Sequence, residues 1–96
     1  RTVPEFAYLL EQLSTNTNIA QLNVLAYSAG AMIASPGLAR GAEATGGDAR
    51  RLRLGEVYYA APDIDFPVFV DNLPRYKDQA KRVTVALNTG DRALSF

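Results

Sequence analysis

The stretch Leu22–Met32, "LNVLAYSAGAM", decides the fold of this chain. It contains the end of an apolar run from Ile19 to Ala26, which lacks a clean alternation of apolar and polar residues. Such a run predicts a strand that is covered on both faces, as in a parallel sheet. The run stops at the hydroxyl of Ser28, and the small residues that follow suit the first turn of a helix. A serine at this position is either a helix cap or a catalytic nucleophile.

The segments around this stretch alternate between helical and strand patterns. Apolar residues at helical spacing predict a helix over residues 2–13, and residues 29–34 also suit a helix. Two more strands are predicted over Glu56–Ala61 and Arg82–Leu87, with a third helix between them. Helices that alternate with strands imply an α/β fold, in which a parallel sheet is flanked by helices. A chain of 96 residues has the size of one small domain or of part of a larger one.

Prolines, glycines and one aspartate set the predicted boundaries of these elements. Pro36 is expected to kink or stop the helix that follows Ser28, unless Ser35-Pro36 starts a new helix. Gly41–Asp48 is a loop by its composition. Asp65 is well placed as the N-cap of the third helix, which Pro74 should break. The last residues of the chain, from residue 93 to residue 96, suit the start of a further helix.

The charge and composition of the chain exclude several classes of partner. Ten basic and ten acidic residues give a net charge of zero, so the chain has no basic field for nucleic acid or an anionic membrane. No apolar run approaches the length of a membrane span, and the first residues do not resemble a signal peptide. The absence of cysteine excludes disulfides and thiolate metal sites. Neither the compartment nor the oligomeric state is indicated by the sequence.

The serine lies in a motif that is typical of a nucleophile elbow. Residues Ala26-Tyr27-Ser28-Ala29-Gly30 fit the pattern G-x-S-x-G with alanine in its first position. This turn is tight and strained, by roughly 1–3 kcal/mol in general, and it requires small residues two positions before and after the serine. The helix behind the turn would offer free N–H groups and the positive end of its dipole to an oxyanion. Acids that follow the other two strands favour the nucleophile over the cap.

Three ordered motifs of the chain resemble the α/β-hydrolase superfamily. They are Ala-Tyr-Ser-Ala-Gly at 26–30, Ala-Pro-Asp at 61–63 and Asp-Arg-Ala-Leu at 91–94. More narrowly, the chain is similar to a bacterial subgroup of uncharacterised, esterase-like α/β hydrolases with Ala-His-Ser-Met-Gly at the elbow, from which Tyr27 and Ala29 depart. The resemblance implies a serine hydrolase that acts on a small ester or acyl substrate, and we expect it to need no cofactor.

The resemblance also implies roles for individual residues. Ser28 would be the nucleophile, Asp91 the acid that orients a histidine, and the N–H of Ala29 the first oxyanion donor. Asp63 is the alternative acid, because it follows the second strand in the same way that Asp91 follows the third. Asp63 and Asp65 lack the further ligands that a hard cation needs, so no metal site is predicted.

A complete catalytic triad cannot form within these residues, because the chain has no histidine. The resemblance implies that the histidine follows a further strand beyond Phe96, and that strands before Arg1 bring the second oxyanion donor. We therefore interpret residues 1–96 as a partial α/β-hydrolase domain and expect negligible esterase activity from this piece alone. The alternative function is a non-catalytic relative that keeps the elbow for packing and uses its surface for interactions.

Overall fold

A computed structural model of the chain describes residues 2–18, 20–44, 52–60, 65–86 and 93–96. The helices in these ranges are α1 (Thr2–Thr15), α2 (Ala31–Ala44) and α3 (Phe66–Tyr76), and short 3₁₀ turns cover Ser28–Gly30 and Lys77–Gln79. The strands are β1 (Leu22–Tyr27), β2 (Leu54–Ala60), β3 (Arg82–Ala86) and β4 (Ala93–Ser95). Helices and strands alternate up to β3, as the sequence predicts.

The strands form one sheet in the order β1-β2-β3-β4. The first three are parallel, and Tyr27 pairs with Ala60, which in turn pairs with Ala86. The carboxyl ends of these three strands are therefore level with one another. Each crossover connection leads to the next strand on the same side of the sheet. Two right-handed connections in the same direction place α2 and α3 on the same face of the sheet. The predicted α/β fold is confirmed.

The core lies between the sheet and these helices. One face of the sheet presents buried side chains from its three parallel strands, namely Ala26, Val57, Tyr59, Val83 and Val85. The facing side of α2 is built mainly from small residues, and α2 packs between α1 and α3. Small side chains allow a close approach, so α2 is the most buried helix in the described part of the chain.

The opposite face of the sheet is open at β1 and β2 in the described part of the chain, whereas Thr84 on β3 is buried. Leu25 and Tyr27 are 73% and 71% exposed, and Tyr58 on the neighbouring strand is also exposed. Burial along β1 alternates, because only the residues that face the helices are covered. The prediction that this strand is covered on both faces is therefore wrong for the described residues. An apolar run does not by itself tell a doubly covered strand from an edge strand with one open face.

Helix α2 continues through two predicted breaks. Pro36 lies inside it, and the helix ends at Ala44 rather than before Gly41. Gly41, the first residue of the predicted loop, is buried where α2 meets α1, as is Gly37. A β-carbon added at Gly37 would lie 2.5 Å from a ring carbon of Phe6. These glycines allow two helices to pack closely, whereas composition alone suggests a loop from Gly41.

The boundaries near the end of the chain differ from prediction as well. Asp65 does take the N-cap position of α3, with an extended backbone, but its side chain makes no capping hydrogen bond. Pro74 lies inside α3, whose last turn is held by the buried side chains of Leu73 and Tyr76. Residues 93–95 form an edge strand antiparallel to β3 instead of a helix. The free edge of β3 offers backbone partners, which outweigh a weak local helix preference.

Candidate active site

The chain turns sharply at Ser28, between the end of β1 and the start of α2. Tyr27 is still extended, with φ −109° and ψ 133°, whereas Ser28 has a φ of 52°. A positive φ is uncommon for a residue with a side chain and marks a strained or specialised turn. The strand therefore ends at Tyr27, and the next residue reverses the backbone toward the helix.

A positive φ does not mark a site on its own. Among the described residues other than glycine, Arg53 shares this conformation, with a φ of 53°. Arg53 lies before the amino end of β2, where its carbonyl accepts a hydrogen bond from the N–H of Leu22 at 2.7 Å. Ser28 lies at the carboxyl end of its strand, and ligands of open parallel sheets bind at that edge. Conformation and position together single out Ser28.

The N-terminal end of α2 lies directly behind Ser28. The residues Ser28–Gly30 form a 3₁₀ turn, and the N–H of Ala31 donates to the carbonyl of Ser28. Ala29 is exposed in this turn, where the first N–H groups of a helix lack intrahelical acceptors. The positive end of the helix dipole adds to these donors. The half-buried residue Ser28 therefore directly precedes a helix start whose N–H groups can stabilise a negative oxygen.

The two positions that the motif requires to be small behave differently. Ala26 is buried against the helices, so a larger side chain would clash in the core. A β-carbon added at Gly30 would meet no described atom within 4 Å. Packing in the described part of the chain therefore explains the alanine but gives no steric reason for the glycine.

Of the three aspartates singled out from the sequence, the structure describes only Asp65. Asp63 and Asp91 lie outside the described residues, so their catalytic roles stay predictions. Asp65 is described, exposed and free of a capping hydrogen bond at the start of α3. No cluster of histidine, cysteine, aspartate and glutamate that could hold a metal occurs within the described ranges.

A small cavity lies between the N-terminal halves of α2 and α3. Its volume is about 110 Å³, and its walls include Ala31, Met32 and Ser35 from α2 with Asp65, Val68 and Phe69. Sequence analysis missed this cavity, because its two walls are separated by about thirty residues in the chain. The sequence feature that could have indicated the cavity is an apolar residue in the first turn of each helix, Met32 in α2 and Val68 in α3. Both side chains are exposed in the structure.

A buried group of hydroxyls lies beside this cavity. The phenols of Tyr59 and Tyr76 are joined by a hydrogen bond of 2.7 Å. Burial raises the pKa of both phenols, and the neighbouring hydroxyl of Ser35 lowers both pKa values to a smaller extent. The Ser35 hydroxyl is itself buried and forms no hydrogen bond of good geometry with a described residue. The raised pKa values keep both phenols protonated, and their hydrogen bond joins α3 to β2 in the core.

Comparison with known proteins gives one match. A family model described as an alpha/beta hydrolase of unknown function (DUF900) matches residues 1–96, the full length of the chain. No curated protein and no solved structure matches significantly. None of the helices among the described residues has the length and hydropathy of a membrane span. The match agrees with the parallel sheet and its helices, while the family's description leaves the reaction open.

Proposed function

This chain belongs to the family of α/β hydrolases of unknown function (DUF900), and we propose that it carries the nucleophile of a serine hydrolase that acts on small esters. The proposal depends on one observation, the φ of 52° at Ser28 between β1 and α2. Holding a serine in this region costs roughly 1–3 kcal/mol, and such strain is concentrated at functional sites. A simple helix cap needs no such strain, because capping residues ordinarily have an extended backbone.

In the proposed reaction, the Ser28 oxygen attacks the carbonyl carbon of the ester while a histidine takes the hydroxyl proton. The carbonyl electron pair moves onto its oxygen, which accepts a hydrogen bond from the N–H of Ala29. When the tetrahedral intermediate collapses, the alcohol leaves with the proton from the histidine, and the acyl group stays on Ser28. Water then releases the acid by the same steps. The histidine comes from outside these 96 residues, which contain none.

We propose Asp91 as the acid that orients this histidine. The neighbouring described residues support this choice, because Ala86 and Ala93 are paired at the carboxyl end of β3. Asp91 precedes Ala93 by two residues in the sequence, and β1 ends at Tyr27 on the same edge of the sheet. Asp63 is the alternative acid, three residues after the end of β2.

A fluorophosphonate probe tests the proposed nucleophile in the full-length protein. We expect the probe to label the wild type and to lose labelling in Ser28→Ala. The control is Ser95→Ala, because Ser95 is an exposed serine on β4 and should not affect labelling. Labelling that persists in Ser28→Ala would exclude Ser28 as the nucleophile. A folded wild type that is never labelled would favour the non-catalytic relative, which keeps the turn only for packing.

A further inference from the structure

We propose that the cavity between α2 and α3 is the acyl subsite of this hydrolase, and that it takes a short, unbranched and uncharged acyl chain. The inference rests on the proposed function, because it needs Ser28 to carry the acyl group. Three observations support it, namely the place of the cavity beside the turn at Ser28, its volume, and the chemistry of its walls.

The position of the cavity suits an acyl chain attached to Ser28. One wall begins at Ala31 and Met32, which are three and four residues after Ser28 and therefore about one helical turn away. The oxyanion binds at the N–H of Ala29, which fixes the carbonyl group against the same turn. In this orientation, the acyl chain extends from the carbonyl group along the groove between α2 and α3. The alcohol leaves on the side of the histidine, which lies outside these residues.

The volume of the cavity limits the length of the chain. About 110 Å³ is available, and a group of the size of water fills about 30 Å³. The cavity therefore holds three to four carbon atoms. Sites for whole ligands have volumes of about 300–1,000 Å³, so this cavity is suited to part of a substrate only.

The walls favour an uncharged, apolar chain. Ala31, Met32, Val68 and Phe69 are apolar, and Phe69 is fixed by an edge-to-face contact with Tyr59 at 5.2 Å between ring centroids. Asp65 is the one charged side chain in the described walls. Its carboxylate would repel an acyl chain that ends in a carboxylate of its own.

The test measures kcat/KM of the full-length protein for p-nitrophenyl esters with acyl chains of two to eight carbons. We expect kcat/KM to rise about three- to fourfold for each methylene that enters the cavity, up to about four carbons, and then to level off, because longer chains extend into solvent. An ester of succinate should be at least tenfold poorer than the butyrate ester. Val68→Trp should lower the ratio of butyrate to acetate activity about tenfold, because the indole fills the cavity.

Val70→Trp is the matched control. Val68 and Val70 are similarly exposed on α3, at 51% and 47%, but Val70 is absent from the described walls of the cavity. The control should keep the wild-type ratio. If Val68→Trp does not fold, Met32→Ala replaces it, and this wider cavity should shift the preference toward longer chains.

The outcomes separate this inference from the proposed function. Fluorophosphonate labelling of Ser28 together with an unchanged chain-length preference in the cavity variant would overturn the acyl subsite alone. A variant that changes the preference among alcohol chains, but not among acyl chains, would also overturn it. Loss of the serine hydrolase itself is detected separately, as a wild type that the probe does not label, and it would overturn both.

Discussion

The phenol oxygens of Tyr59 and Tyr76 lie 2.7 Å apart in the core, and both residues are fully buried. Tyr59 belongs to β2, and Tyr76 is the last residue of α3. This hydrogen bond therefore ties the end of a helix to the central part of the sheet. Because both rings also bury large apolar surfaces, the pair contributes packing and a specific polar contact at the same place.

Removing both of these hydroxyls should destabilise the protein by less than the sum of the two single removals. Tyr59→Phe or Tyr76→Phe leaves the other hydroxyl buried without this partner, which costs about 1–3 kcal/mol. The double variant leaves neither phenol, so its loss should be smaller than the sum of the single losses. Urea unfolding of the wild type and the three variants measures this coupling. Tyr8→Phe is the control, because Tyr8 is exposed, and additive losses in the core pair would contradict the prediction.

The same pair should make stability depend on pH in alkaline solution. Burial raises the pKa of Tyr59 and that of Tyr76, so the folded protein holds both phenol protons more tightly than the unfolded chain. This contribution is complete below the unfolded pKa of about 10 and is lost as the pH rises above it, by up to about 1.4 kcal/mol per pH unit for each phenol. Urea unfolding between pH 8 and 11 measures the slope. The double phenylalanine variant should have the shallower slope, and equal slopes would refute the prediction.

Two glycines in α2 should respond in opposite ways to alanine. A β-carbon at Gly41 would make ordinary contacts of 3.7 Å or more, so Gly41→Ala should stabilise the helix by about 0.5–1 kcal/mol. A β-carbon at Gly37 would lie 2.5 Å from the ring of Phe6, so Gly37→Ala should cost about 1–2 kcal/mol net. Thermal unfolding of the two variants tests this, and each is the control for the other. Equal shifts in Tm would show that α1 and α2 do not pack as closely as described.

The fold could be predicted from sequence wherever a pattern has a single physical meaning. The β-branched run at residues 82–87 and the aromatic run at residues 56–61 indicate strands, and the structure has β3 at Arg82–Ala86 and β2 at Leu54–Ala60. Composition was misleading where tertiary contacts decide the outcome. The composition at Gly41 suggests a loop, whereas Gly41 lies inside α2 against Leu10, and residues 93–95 suit a helix but pair with β3 as a strand.

The part of the candidate site that depends on a local sequence pattern could also be predicted. The local motif around Ser28 predicts a tight turn, because small residues and a hydroxyl at the end of a strand leave few alternatives. The cavity could not be predicted, since Met32 and Val68 approach each other only after α3 has crossed back over the sheet. The acids Asp63 and Asp91 lie outside the described residues and remain predictions.

The buried hydrogen bond of Ser14 should contribute measurably to the free energy of unfolding. Its hydroxyl donates a buried hydrogen bond of 2.8 Å to the carbonyl of Leu52, which connects α1 to the start of β2. Ser14→Ala leaves this carbonyl without its donor and should cost about 1–3 kcal/mol. Thr15→Ala is the matched control, because the neighbouring Thr15 hydroxyl makes an equally short bond within its own helix at an exposed position. Urea unfolding should show a loss of stability in Ser14→Ala at least twice that in the control, and similar losses would show that the buried link adds little.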